Sequence, residues 1–176
     1  MTEAVMAAGY NLTDQFKFAI DAAASEFFRD GKYNLHKSGQ VLDSVGLANF
    51  YGELMAKYPI VSLEDVFAED DWASFVKFSA DHADKQIVGD DLYVTNSKRL
   101  AMGIEQKATN AILIKLNQIG TVTETIAAIN LARKSGMRSI VSHRSGETSD
   151  TFMVDLVVAM GTGQIKAGAP ARGERV

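Results

Sequence analysis

Six side chains of chemically useful type stand at the ends of apolar runs: Asp21 after FKFAI, Glu64 after IVSL, Asp90 after QIVG, Lys115 after AILI, His143 after SIVS and Lys166 after GQI. The carboxylates come first and the basic groups follow. Asp21, Glu64 and Asp90 offer hard oxygen ligands of the kind that hold Mg²⁺ while leaving positions open to water and substrate. Cations beside a lysine favour its neutral, basic form, so Lys115, set near a dication and Lys166, is suited to removing a proton next to a carboxylate. The dianionic intermediate of such a step needs strong positive charge on its oxygens, which a metal and Lys166 supply.

Such groups act together only if the chain brings them to one place. From Glu64 onward the endpoints recur at intervals of about 25 residues, which is what one strand, one helix and two short loops require. A parallel strand followed by a crossover helix aims its C-terminal end at the same face each time, so the six endpoints are expected to converge. The longer first interval holds GKYNL, read as a turn at Asp30-Gly31 with a short extended piece, and then a helix from about Asp43 to Tyr58. In TVTETIAAINLARKSG, Val122, Ile126, Ile129, Ala132 and Arg133 fall at helical spacing, Thr121 or Thr123 can cap the start, and Gly136 sits where a C-cap glycine belongs. Helices are also predicted over 96–107 and over 70–83, the latter with Trp72, Phe75 and Phe78 on one apolar face. The expected fold class is α/β: an incomplete TIM-type (β/α) barrel of about six strand-helix units, because a closed barrel needs eight strands and about 250 residues. An open doubly wound sheet fits less well, since its crevice lies at one switch point and does not draw a residue from every strand end.

Composition sets wide bounds. A chain of 176 residues with 47% apolar and 23% charged content is enough for one folded domain with a core. A net charge of −4 and an isoelectric point near 5.4 argue against a nucleic-acid footprint. Without cysteine, disulfides, thiol catalysis and thiolate metal sites are excluded. No apolar stretch reaches the length of a membrane span and no basic-then-apolar signal opens the chain, so a cytoplasmic location is expected. Taken singly, each site residue has a plainer reading: a carboxylate after a strand is most often a cap or turn residue, and adjacent Asp65 and Asp91 compete for the same roles. Lys115 is harder to dismiss, because a lysine inside AILIKLN needs a reason for its burial.

The segments SLEDVFAEDDW, QIVGDDLYVTN, LIKLNQIGTVTE, VSHRSGETSDTF and GQIKAGAPARGERV closely resemble enolase, the phosphopyruvate hydratase family, and DAAASEFFRDGKY resembles the segment that precedes them there. The resemblance implies a part of the enolase C-terminal barrel over 1–176, with the family's N-terminal α+β domain and first barrel strands absent. It implies that Asp21, Glu64 and Asp90 bind Mg²⁺ and that Lys115 removes the C2 proton of 2-phosphoglycerate on the way to phosphoenolpyruvate. His143 is then a substrate contact, Arg144 and Ser145 hold the phosphate, and Lys166 holds the carboxylate. Lys115, His143 and Lys166 form the catalytic set, and Glu64 and Asp90 join them in binding substrate. A homo-oligomer is implied for full-length members. The glutamate acid of the family lies outside the matched segments, so impaired turnover is expected of the isolated chain. The alternative is a non-catalytic fragment or interaction protein. Val66 stands where the family usually has proline, which frees the backbone beside Glu64.

Overall fold

The computed structural model describes residues 1–146 and 148–168. The chain packs as two compact units, Met1–Ile87 and a second that begins at Val88. Both are α/β, with parallel strands followed by helices, as the spacing of the apolar runs requires.

In the first unit, helix α1 (Thr2–Ala7) precedes strand β1 (Phe18–Asp21), which pairs in parallel with β5 (Ile60–Glu64). Between them lies more than the short extended piece expected from GKYNL. Strands β2 (Phe28–Arg29), β3 (Lys32–Leu35) and β4 (Gln40–Leu42) form an antiparallel meander, followed by helix α2 (Ser44–Lys57). Asp30 and Gly31 make its first turn with φ of 52° and 74°, the two left-handed residues that a tight hairpin of this hand demands. Helix α3 (Trp72–Asp81) closes the unit.

Aromatic packing joins these pieces. Phe67 sits edge-on to Tyr33, Tyr51, Phe75 and Phe78, all of them buried. Val66, beside them, is fully buried as well. The Tyr33 hydroxyl donates to Asp71 at 3.2 Å and accepts from the Ala68 N–H at 3.0 Å. Asp71 also accepts from the Ser44 hydroxyl at 2.7 Å and caps α3 by accepting from the Ser74 N–H. One carboxylate thus ties the meander, the start of α2 and the start of α3 together.

The second unit carries the parallel ladder of β6 (Gln86–Gly89, which crosses the unit boundary), β7 (Ala111–Ile114), β8 (Arg138–Ser142) and β9 (Ile165–Lys166). Helices α4 (Ser97–Gln106), α6 (Val122–Lys134) and α7 (Phe152–Met160) alternate with the strands, and a short helix α5 (Leu116–Ile119) follows β7. Asn96 caps α4 and Thr121 caps α6. Gly136, with φ of 74°, lies just past the end of α6, where a left-handed residue is needed. The buried face of α6 matches the expected one at Ile129 and Ala132 but otherwise runs through Thr125 and Ala128, while Val122 and Arg133 are exposed and Ile126 is only half-buried. Small residues on that face let the helix lie close on β7 and β8, while Val122, in the first turn, is left exposed. Close approach also explains Gly103. A Cβ there would collide with the Tyr93 ring and hydroxyl, and that hydroxyl bonds Thr109 Oγ1 at 2.8 Å. No helix among the described residues is long and apolar enough to cross a membrane.

The two buried tyrosines of the first unit should respond oppositely to loss of the hydroxyl. Tyr33→Phe strands the Ala68 N–H and is expected to cost about 1–3 kcal/mol. The Tyr51 hydroxyl is buried with no hydrogen-bond partner among the described residues, so Tyr51→Phe should be neutral or stabilise by about 1 kcal/mol. Urea unfolding at neutral pH measures both, and equal losses would contradict the assignment. Burial, with the negative charge of Asp71 adding to it, pushes the Tyr33 hydroxyl up from 10.0 to about 12. A raised folded value means a contribution present below pH 10.0 and lost as pH climbs through about 12, so stability should fall across that window and fall less in Tyr33→Phe.

Candidate active site at the strand ends

Every residue singled out from the apolar runs lies at the C-terminal end of a strand. In the first unit Asp21 ends β1 and Glu64 ends β5, and the two are register partners. The chains stay joined beyond the strands, with the Ala22 N–H donating to the Glu64 carbonyl at 2.9 Å and the Ala24 N–H to the Asp65 carbonyl at 3.0 Å. Asp21 Oδ1 accepts from the Ala23 N–H at 3.1 Å. Glu64 is buried and Asp21 exposed, so the pair offers one fixed carboxylate and one open to solvent. Ala23 and Asp65 take left-handed φ of 45° and 46°. Backbone strain one or two residues after each carboxylate is the sort of cost that a site, and not a plain turn, sustains.

In the second unit Asp90, Lys115 and His143 directly follow β6, β7 and β8, and Lys166 ends β9. The sequence placed cations around Lys115; the structure also sets a carboxylate on it. Lys115 Nζ forms an ion pair with Asp90 Oδ2, and only 15% and 9% of the two side chains are exposed. That pairing supplies the reason for a lysine in so apolar a run. The second Asp90 oxygen accepts from Gln118 Nε2 at 3.0 Å.

His143 is fixed on two sides. Its N–H donates to the Lys166 carbonyl at 3.0 Å, and its Nδ1 accepts from the Gly168 N–H at 3.3 Å. An accepting Nδ1 places the ring proton on Nε2, which makes that nitrogen a donor. Arg144, half-buried, donates from Nη1 to Asn117 Oδ1 at 3.2 Å, which ties the loop after β8 to α5. Ser145 is exposed on the same loop. Glu147 and the tail Ala169–Val176 of the GQIKAGAPARGERV motif lie outside the described residues.

Asn117, Gln118 and Thr95 were not among the expected site residues. Gln118 stands on α5 three residues after Lys115, the extended residue at its N-terminal cap position, and that nearness in sequence was its only signal. Thr95 gave none, because the turn that directs it inward has no pattern in LYVTN.

An unpaired Asp90 carboxylate in this setting is costly. Lys115→Met should destabilise the chain by about 3 kcal/mol in urea unfolding, and the double variant Asp90→Asn with Lys115→Met should recover at least half of that. A negligible loss from Lys115→Met would mean that the ion pair is not formed in solution.

A profile of the family described as enolase, C-terminal TIM barrel domain, matches residues 1–176. The chain is 52% identical over 177 aligned residues to Enolase 1 of Methanospirillum hungatei, covering 100% of this chain and 42% of that protein. It is 54% identical over 174 residues to an enolase of a Nitratiruptor species, covering 98% of this chain and 41% of the relative. The chain therefore spans about two fifths of the length of these curated relatives.

Proposed function

This chain belongs to the enolase family, and on that premise we propose that it carries the proton-abstracting part of a phosphopyruvate hydratase, which dehydrates 2-phosphoglycerate to phosphoenolpyruvate. The observation that carries the reading is the half-buried Lys115 held on Asp90 at the ends of adjacent strands, in the same unit as His143, Arg144 and Lys166. Lys115 takes the C2 proton. Lys166 sets positive charge against the substrate carboxylate as the dianion develops, and the planar fork of Arg144, with the Ser145 hydroxyl, grips the phosphate. His143 presents Nε2–H as a donor to bound substrate. The acid that protonates the leaving 3-hydroxyl is not among the residues assigned here.

Mg²⁺ suits the donor set. Glu64 and Asp90 are buried carboxylates, which call for compensating cations, and Asp21 lies in register with Glu64. Asp21, Glu64 and Asp90 are the proposed ligands, and the ion supplies positive charge to the substrate carboxylate when bound. The span of about two fifths favours one further reading, in which this chain alone binds metal or substrate without turnover.

Two measurements test the proposal. In a protein of the relatives' length carrying this chain, Lys115→Ala should lower kcat for phosphoenolpyruvate formation, followed by product absorbance, by about 10²–10⁴-fold; a loss under tenfold would remove Lys115 as the base. Calorimetry should find Mg²⁺ binding weakened more by Glu64→Gln than by Asp65→Asn, and equal losses would overturn the ligand assignment.

A further inference from the structure

The groups that hold Lys115 and Asp90 form a closed hydrogen-bond circuit. Asp90 Oδ2 pairs with Lys115 Nζ, and Asp90 Oδ1 accepts from Gln118 Nε2 at 3.0 Å. Gln118 Oε1 in turn accepts from the Thr95 hydroxyl at 2.9 Å, and Thr95 Oγ1 accepts from the Lys115 backbone N–H at 2.9 Å. The circuit has only one polarity. A hydroxyl carries a single proton, and since Thr95 Oγ1 accepts from the Lys115 N–H, that proton goes to Gln118 Oε1. The amide is then forced to turn its NH₂ toward Asp90, and flipping it would break two bonds at once.

The backbone of this segment is strained to make the circuit. Val94 and Thr95 are both β-branched, and both take left-handed φ, 45° and 57°. Residues of that shape in that region are held there only when their surroundings compensate the strain. The turn is fastened at both ends: the Tyr93 and Val94 N–H groups donate to the Asp90 carbonyl at 3.0 and 2.7 Å, and Asn96 caps α4. Thr95 itself is completely buried. Glycine or asparagine would relieve the strain, but neither offers a hydroxyl that donates to Gln118 while accepting from Lys115.

We infer that Thr95 and Gln118 are positioning residues, which fix the Asp90 carboxylate and the Lys115 amino group in one mutual geometry and so aim Lys115 at the proton it removes. The inference rests on the proposed role of Lys115. Neither residue touches substrate in this role; each acts through Lys115 and Asp90. Misplacement of a reacting group by about 1 Å is enough to cost on the order of 10²-fold in rate, so a clamp of this kind has a kinetic signature distinct from a binding contact.

The test follows the Lys115 Nζ resonance by ¹⁵N NMR in the 176-residue chain. Thr95→Ser keeps the hydroxyl, Thr95→Val removes it, and Gln118→Leu removes both amide bonds. Thr95→Ser should match the unmodified chain in hydrogen exchange at Lys115 Nζ. Thr95→Val and Gln118→Leu should speed that exchange about tenfold, while backbone amide shifts outside the segment from Asp90 to Gln118 stay in place. Unchanged exchange in Gln118→Leu, or a Thr95→Ser variant as perturbed as Thr95→Val, would overturn the clamp. Gln118 is only half-buried, so Gln118→Leu decides the matter should Thr95→Val fail to fold. In a protein of the relatives' length, Gln118→Leu should lower kcat about 10- to 100-fold with KM within about threefold. A rise in KM at unchanged kcat would contradict positioning. Absence of turnover in the unmodified protein would count against the functional reading instead, and the NMR result would still decide the clamp.

Discussion

The buried ion pair between Lys115 and Asp90 is the constraint on which the site of the second unit depends. Two charges so little exposed repay their lost hydration only when their geometry is good and the remaining polar valences are filled. The structure meets both conditions. Parallel pairing of β6 with β7 brings their C-terminal ends to the same edge, where Lys115, two residues past the register partner of Asp90, meets its carboxylate, and Gln118 fills the second carboxylate oxygen. An apolar pair of similar volume would serve stability as well or better, so the cost of this arrangement points to chemistry.

Strand direction does the first part of the positioning and local turns do the rest. Because every paired strand that carries a site residue runs parallel to its neighbour, Asp21 and Glu64 share one end of their pair, and Asp90, Lys115, His143 and Lys166 share one end of their ladder. Direction alone leaves side chains free to swing. The left-handed residues Ala23, Asp65, Val94 and Thr95 follow the carboxylates within five residues and turn the chain, so that the Ala23 N–H reaches Asp21 and the Thr95 hydroxyl reaches Gln118 and the Lys115 N–H. His143 is oriented by the same logic, through the Gly168 N–H on its Nδ1. Within the second unit, the buried apolar residues Val88, Ala111, Leu113 and Ile140 pack together on the strands from which its own site loops spring.

Much of this was legible in the sequence, for reasons that also mark the limit. Apolar runs ending in polar residues located the strand ends because a buried parallel strand must be apolar along its length and can change character only where it emerges. A threonine cap at the start of α6 was legible because it satisfies local N–H groups, and the structure puts it at Thr121. The meander was reduced to one extended piece, since strands of two to four residues such as Phe28–Arg29 carry too little periodicity to read. The face of α6 was misplaced in part because Thr125 and Ala128 are buried for their small size and not for hydrophobicity. Thr95 and Gln118 escaped for a deeper reason: their roles arise from a strained turn and from hydrogen bonds across 20 to 28 residues, neither of which leaves a local pattern.

The central claim is that Lys115 exchanges a proton with C2 of 2-phosphoglycerate. The most direct measurement is proton NMR of that substrate in D₂O with Mg²⁺ and a protein of the relatives' length carrying this chain, following loss of the C2 signal apart from net dehydration. The account predicts solvent deuterium entering C2 with the unmodified protein and none above background with Lys115→Ala. Exchange at an undiminished rate in Lys115→Ala would contradict it and would assign the base to another residue.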